Sequence, residues 1–525
     1  MMILHKLSFI VLLLAGCSFT HVEPVAQWPT ATTLRVVQTT PVPTLDRDLQ
    51  AVAGASTEPS PTSEALSANS DGDGETCQAT AGELTLHTVN AQIDYQTHSV
   101  VVEQAVRYIN HTNDTLAQIV MNVEANYRPG TFTLDSISMQ GEMGLTYELT
   151  GRRLTVELPR PLEPGCTVNL RLAFRLAVPN ILAGSVDAYR GFLGYTPRQM
   201  NMGHWLPTVA VYMNSDWITR DATFIGEQVV LDQADWDVSI EVSGASESLM
   251  VAGPGVETNI GSRSWHFDQR GGRDFTISLS EEFNVVRQLL DNGITVEVYT
   301  FDDAVVTTDN GPVDGAAFAL VHASRSLAMY ADLFGDFPYA RMVVVQGDFP
   351  DGMEFSGIVF VSGDWFRSFT GSAASYLMLI TVHEVSHQWW YARVGSDSAL
   401  NPWLDEALAT YSEYVFIEEY YPDLKDWWWT FRVDPYNPQG YVDETVYEFS
   451  SIREYINAVY LRGVRMLDAL RNDLGTEAFF AWLRRYAEAG AGRVVTPDLI
   501  WSLLTQEQFD ATRATRQIYL RDAVL

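Results

Sequence analysis

Between residues 83 and 282, apolar and polar positions alternate in short runs broken by turn residues. The runs at 99–108, 167–177, 236–242 and 274–280 have the two-residue period of strands with one buried face. Thr150-Gly151, between two such runs, predicts a hairpin turn. No helix-length amphipathic stretch interrupts this region, so it is expected to be an all-β antiparallel domain over 81–285. The texture then changes. After a strand at 294–301, residues 315–334 have apolar positions at helical spacing and stop at Gly335. Strands at 341–346 and 357–362 follow, then helices at about 373–391, 404–420, 447–474, 476–489 and 497–504. Thr496-Pro497 starts the last of these with a capping hydroxyl and a proline at the first helical position. Residues 286–525 are therefore expected to be mixed α and β, mainly helical, and the whole chain an α+β multidomain protein.

The amino terminus has a different organisation. Lys6 precedes the apolar run Leu7 to Leu14, which is too short to span a membrane as a permanent helix. Leu14-Ala15-Gly16-Cys17 resembles a lipobox, so residues 1–16 are expected to be a signal peptide and Cys17 a lipidation site. Two acyl chains hold a protein on a membrane stably, where one does so marginally. Residues 17–80, rich in Thr, Pro, Ser, Ala and Gly, bury too little apolar surface to offset ordering and read as a flexible tether. The expected location is extracytoplasmic and membrane-anchored.

Composition narrows the function further. Of 525 residues, 46% are hydrophobic and 19% charged, as in globular proteins. The net charge of −33 repels phosphate backbones and excludes a nucleic-acid binder. Three cysteines exclude a disulfide scaffold but leave Cys77 and Cys166 either bridged or free.

The chemistry is concentrated in His383-Glu384-Val385-Ser386-His387. Positions i and i+4 of a helix share a face, so both imidazoles can reach one ion, and neutral imidazole suits Zn²⁺. Glu384 is placed beside the metal rather than on it, as a general base requires. A catalytic zinc needs a third protein ligand, and Glu406 follows 19 residues after His387. Glu413, two turns further along the same helix face, is a candidate hydrogen-bond partner for a ligating histidine.

Three segments in this order resemble the aminopeptidase N family of gluzincin zinc peptidases. The first is His383 to Trp390 with Glu406; the second is Asp351-Gly352-Met353-Glu354-Phe355, similar to the family's G-x-M-E-N loop. The third is Tyr455 to Gly463, similar to its Y-x-K-G segment. The resemblance covers residue 83 onward and implies a β saddle followed by a thermolysin-like catalytic domain. It implies one Zn²⁺ on His383, His387 and Glu406, with Glu384 activating water. It implies that Tyr460 donates to the oxyanion, with Tyr455 as the alternative, and that Glu354 holds the substrate's free α-amine. Backbone around Gly352 and Met353 would flank the peptide as an added strand. The sequence departs from the family pattern at Phe355, Ala407 and Arg462, where relatives have Asn, Gly and Lys. Relatives also carry a second amine-binding Glu or Gln just before a segment like Trp205-Leu206-Pro207; Arg198-Gln199 lies there, and no acid does. No counterpart of the family's large C-terminal helical domain is expected. The function implied is a lipid-anchored zinc aminopeptidase acting on peptides. Two alternatives remain: an endopeptidase or oligopeptidase on the same site, and a non-catalytic binding lipoprotein on a peptidase scaffold. The Trp427-Trp428-Trp429 cluster is expected either to pack in the core or to line a cleft.

Overall fold

The computed structural model describes Cys77 and residues 82–139, 142–182 and 184–521. The signal peptide, Cys17 and the tether lie outside the described residues. Among the described residues, no helix is long and apolar enough to cross a membrane.

An eight-stranded sheet dominates the first part. Its central strands are Ala234–Ser243, Thr85–Asp94, Ser99–Ile109 and Thr167–Ala177, in that order. In Ser99–Ile109, Val100, Val102 and Val106 are buried while Ser99, Val101 and Glu103 face out, as the alternation predicts. The turn after Thr150 joins Tyr147–Thr150 to Arg153–Leu162, with Thr150 opposite Arg153 and Gly151 at φ +57°. One pairing departs from the antiparallel expectation. Thr85–Asp94 runs parallel to Ala234–Ser243. More than a hundred residues separate these strands, so no turn constrains their direction.

A second sheet, of five strands, joins the two parts. Its order is Asn284–Leu289, Thr295–Thr300, Arg341–Gly347, Ile358–Ser362 and Gly352–Phe355. In Arg341–Gly347, Met342 and Val344 pack with the helices while Val343 and Val345 pack with the β core. Both faces are covered, which explains why this strand reads as an unbroken apolar run. Arg273 fastens the same junction from the β side. Its buried guanidinium donates to the carbonyls of Leu231, Tyr391 and Arg493 at 2.7–2.8 Å.

Helix Gly315–Phe334 ends as expected at Gly335, whose φ is +100°. Helix Tyr376–Ser386 is shorter than expected. After His387 the chain widens into a looser turn, Gln388–Arg393, with Trp390 off helical geometry. That turn lets both Trp389 and Trp390 be buried, with their indole N–H groups donating to Gly335 O and Ser412 Oγ. The single helix expected over 447–474 is also broken. Ile452–Tyr455 and Arg462–Leu474 flank a wide turn, Ile456–Leu461. The helical segments at Lys425–Val433 and Gln506–Tyr519 were not evident from periodicity, being short and irregular.

Candidate metal and peptide-binding site

Helix Tyr376–Ser386 is buried on every side after Tyr376. It places the His383 and His387 side chains in the interior, facing helix Glu406–Tyr420. Each imidazole is fixed through Nδ1. His383 Nδ1 is 2.9 Å from Glu413 Oε1, and His387 Nδ1 is 2.8 Å from Asp405 Oδ1. A carboxylate on Nδ1 holds the proton there and leaves Nε2 as a lone pair. The two Nε2 atoms are 3.1 Å apart, and Glu406 Oε2 lies 3.4 and 3.7 Å from them. Glu406 Oε2 is buried without a hydrogen-bond partner. Two imidazole lone pairs and a carboxylate oxygen converging in the interior require a cation between them. Burial opposes positive charge on His383, but Glu406 and Glu413 outweigh it, so the cluster favours a cation at this place. This N₂O donor set fits Zn²⁺.

The partners of these ligands are themselves held. Glu413 is fully buried and also accepts from Arg432 Nε and Nη2 at 3.1 and 3.0 Å and from Trp428 Nε1 at 3.3 Å. Burial would raise its pKa, but Arg432 and His383 bring it below the usual carboxylate value. Ser398 donates to the second oxygen of Asp405 at 2.9 Å. Asp405 was missed in the sequence, although it directly precedes Glu406, a position from which a carboxylate can reach the second histidine. The Trp427–Trp429 cluster packs rather than lining the cleft: Trp427 stacks on Phe431, Trp429 meets Tyr414, and Trp428 serves Glu413.

A cleft of about 360 Å³ opens onto these groups. Gly352–Phe355 forms one wall as the edge strand of the five-stranded sheet, pairing among the described residues only with Ile358–Ser362. Its other edge is available for an extended peptide. Gly352 has to lack a side chain, because a Cβ there would overlap the Glu384 carboxylate. Glu384 Oε2 is buried without a partner, and burial together with Glu406 and Asp351 raises its pKa despite both histidines. Glu354 follows on the same strand, 6% exposed, with one carboxylate oxygen within 4.8 Å of ligand atoms on Glu384 and His387. Burial and the charges of Glu406, Asp405, Glu384 and Glu227 push its pKa well up. Such a group gains from a cationic partner.

The structure corrects the expectation that a second acid is missing. Glu227 lines the same cleft and acts electrostatically on Glu354. It comes from a loop with no periodic signal, which is why sequence pattern did not find it. Gln199, at the place where an amine ligand was sought, is buried elsewhere, donating to Ser278 Oγ and Gln346 O. Arg198 pairs with Asp348 and Asp303.

The wide turn at Ile456–Leu461 places Tyr460. Residues five apart point to different sides of an α-helix but to nearly the same side of a wide turn. Tyr455 and Tyr460 accordingly meet edge to face, with ring centroids 5.4 Å apart. Tyr460 lies parallel to His383, centroids 6.2 Å apart, and beside Glu406, whose charge acts on it. It is half-buried, whereas Tyr455 is 4% exposed with its hydroxyl against Gly226. Of the two, Tyr460 is the better exposed toward substrate. Among the departures, Phe355 fills the core beside Phe192 and Phe360. Ala407 packs against Gly463, where any Cβ would collide with it. Arg462 turns away, donating to Ile518 O and lying over Tyr519.

Cys77 and Cys166 form a disulfide.

Comparison with known proteins agrees with this geometry. Residues 318–518 match the Peptidase family M1 domain. Endoplasmic reticulum aminopeptidase 1 of Homo sapiens is 27% identical over 235 residues, covering 42% of this chain and 24% of that protein. Aminopeptidase M1-D of Oryza sativa subsp. japonica is 24% identical over 241 residues, covering 43% and 26%. The chain thus spans about a quarter of the length of these curated relatives. The crystal structure of an M1 zinc metallopeptidase from Deinococcus radiodurans shares the fold, with a TM-score of 0.59 at 18% identity, over 84% of this chain and 94% of that one. Over residues 318–518 the chain is thus similar to the peptidase M1 family.

Proposed function

We propose that this protein is a zinc aminopeptidase that removes residues from the amino end of peptides, held on the extracytoplasmic face of a membrane by lipid on Cys17. The observation that carries the catalytic reading is the joining, in one cleft, of the His383–His387–Glu406 donor set with the buried acid Glu354 and the half-buried Glu227. When bound, Zn²⁺ polarises the scissile carbonyl and lowers the pKa of water. The residues of the chain do the rest. Glu384 takes a proton from the attacking water and returns it to the leaving amine. Tyr460 donates to the carbonyl oxygen as negative charge develops there. The strand Gly352–Phe355 aligns the peptide, and Glu354 with Glu227 holds its ammonium. The aminopeptidases named above are consistent with this reaction, as is an M1 zinc metallopeptidase of Deinococcus radiodurans crystallised with a Tyr-Ser-Ala substrate bound.

Exo-cleavage is the reading that the second acid favours. One buried charge-assisted bond contributes about 1.5–3 kcal/mol, or roughly ten- to a hundredfold. With two acids, a free-amine peptide is expected to exceed its acetylated form in kcat/KM by at least about a hundredfold. Glu354→Gln is expected to shrink that ratio by about tenfold or more while sparing the blocked peptide. Equal slowing of both forms would make Glu354 structural and favour the endopeptidase.

The anchor rests on the Leu14-Ala15-Gly16-Cys17 run and on an oxidising location that suits the Cys77–Cys166 bridge. Cys17→Ser is expected to move the protein from the membrane to the soluble fraction with its activity retained. Unchanged membrane fractionation of that variant would remove the lipid anchor from the account.

A further inference from the structure

The charges along the cleft are not evenly placed. Glu354 approaches His387 and Glu384, and Glu227 acts on it. Arg432 lies behind the other histidine, reached through Glu413 from His383. It lines the cleft with Trp365, Tyr376 and Tyr436, and its side chain is 13% exposed. Two of its three nitrogens, Nε and Nη2, are committed to Glu413. The third, Nη1, makes no hydrogen bond among the described residues and is not sealed away from solvent. Asp351 feels the guanidinium electrostatically without a side-chain hydrogen bond to it.

The cleft therefore runs from two carboxylates, past the metal ligands, to a guanidinium with one free donor nitrogen. A short peptide has the complementary polarity, with an ammonium at one end and a carboxylate at the other. The spacing also agrees. Two hydrogen bonds, one imidazole and one metal–nitrogen bond separate the guanidinium from the metal position, a path to Nη1 of roughly 12 Å at most. One or two extended residues beyond the scissile bond cover roughly 3–7 Å, and the polar ends cover the remainder.

Resting on the aminopeptidase reading above, we propose that Arg432 recognises a carboxylate on the leaving side of the substrate, one or two residues after the scissile bond. The preferred substrates are then short peptides. The carboxylate comes from a free C-terminus in a di- or tripeptide, or from an Asp or Glu side chain at the same distance. Arg432 also positions Glu413, so loss of rate alone in a variant would not separate the two roles. The preference for a carboxylate separates them.

The test uses the full chain with its zinc and compares kcat/KM in two arms. The first arm sets a tripeptide with a free C-terminus against its C-terminal amide. The second sets an amide-capped peptide with Asp after the scissile bond against the same peptide with Asn. In at least one arm the carboxylate is expected to be preferred by about ten- to a hundredfold, and Arg432→Gln should bring that ratio to near one. Arg432→Lys, which keeps the charge but loses the fork, should retain part of it. Should Arg432→Gln fail to fold, the acid-to-amide ratios of the wild type in the two arms still decide: a ratio near one in both overturns the proposal. Equal rates for acid and amide in both arms, or an unchanged ratio in Arg432→Gln, would overturn the proposal. If amides are trimmed from the amino end as fast as acids, the aminopeptidase reading stands and this inference falls. If no peptide is turned over, both fall.

Discussion

Replacing Glu384 by Gln is expected to leave about one zinc per chain while lowering kcat by about 10²–10⁴-fold. The expectation follows from where Glu384 sits. It is next in sequence to His383, yet the convergent donor set is made by His383, His387 and Glu406. Gln keeps the volume that Gly352 leaves open, so the edge strand should not move. What it loses is the capacity to accept a proton from water and release it to the amine. Metal analysis by mass spectrometry and kcat on a peptide anilide check both halves. A metal-free variant would make Glu384 a ligand, and a near-native rate would remove it from the chemistry.

Tyr460→Phe is expected to lower kcat by about 10²–10³-fold with a much smaller change in KM. The hydroxyl is needed for charge that exists in the transition state and not in the bound substrate. Its position beside His383 and Glu406 is set by the wide turn at Ile456–Leu461, and that turn is unchanged by removing one oxygen. Tyr455→Phe should have the weaker effect, because Tyr455 is the more buried of the two and its hydroxyl packs against Gly226. A change confined to KM in Tyr460→Phe would assign Tyr460 to substrate binding and return the oxyanion role to Tyr455.

The parts of this site that local pattern encodes were legible in the sequence. Two histidines one helical turn apart must share a face, so the convergence of His383 and His387 follows from helix geometry alone. Glu413, two turns from Glu406, was found the same way, and the structure places it on His383 Nδ1. Helices 315–334 and 476–489 and strand 167–177 have the expected bounds, because glycines or a strict period mark their ends. What failed was whatever depends on long-range packing. Glu227 arrives from a loop that the fold, not any period, brings to Glu354. The wide turns after His387 and Tyr455 are responses to buried tryptophans and to the site itself, and a uniform helical period hides them. Arg432 lay in a tryptophan-rich stretch whose irregular turns gave no clear face. The parallel pairing of Thr85–Asp94 with Ala234–Ser243 was equally invisible, since alternation specifies a face and not a direction.

The account stands or falls on a time-resolved mass-spectrometric digest of one unblocked peptide by the zinc-loaded full chain. It predicts products shortened one residue at a time from the amino end, stopped by a zinc chelator and restored by added Zn²⁺. Internal fragments appearing first, or a digest indifferent to chelation, would contradict it.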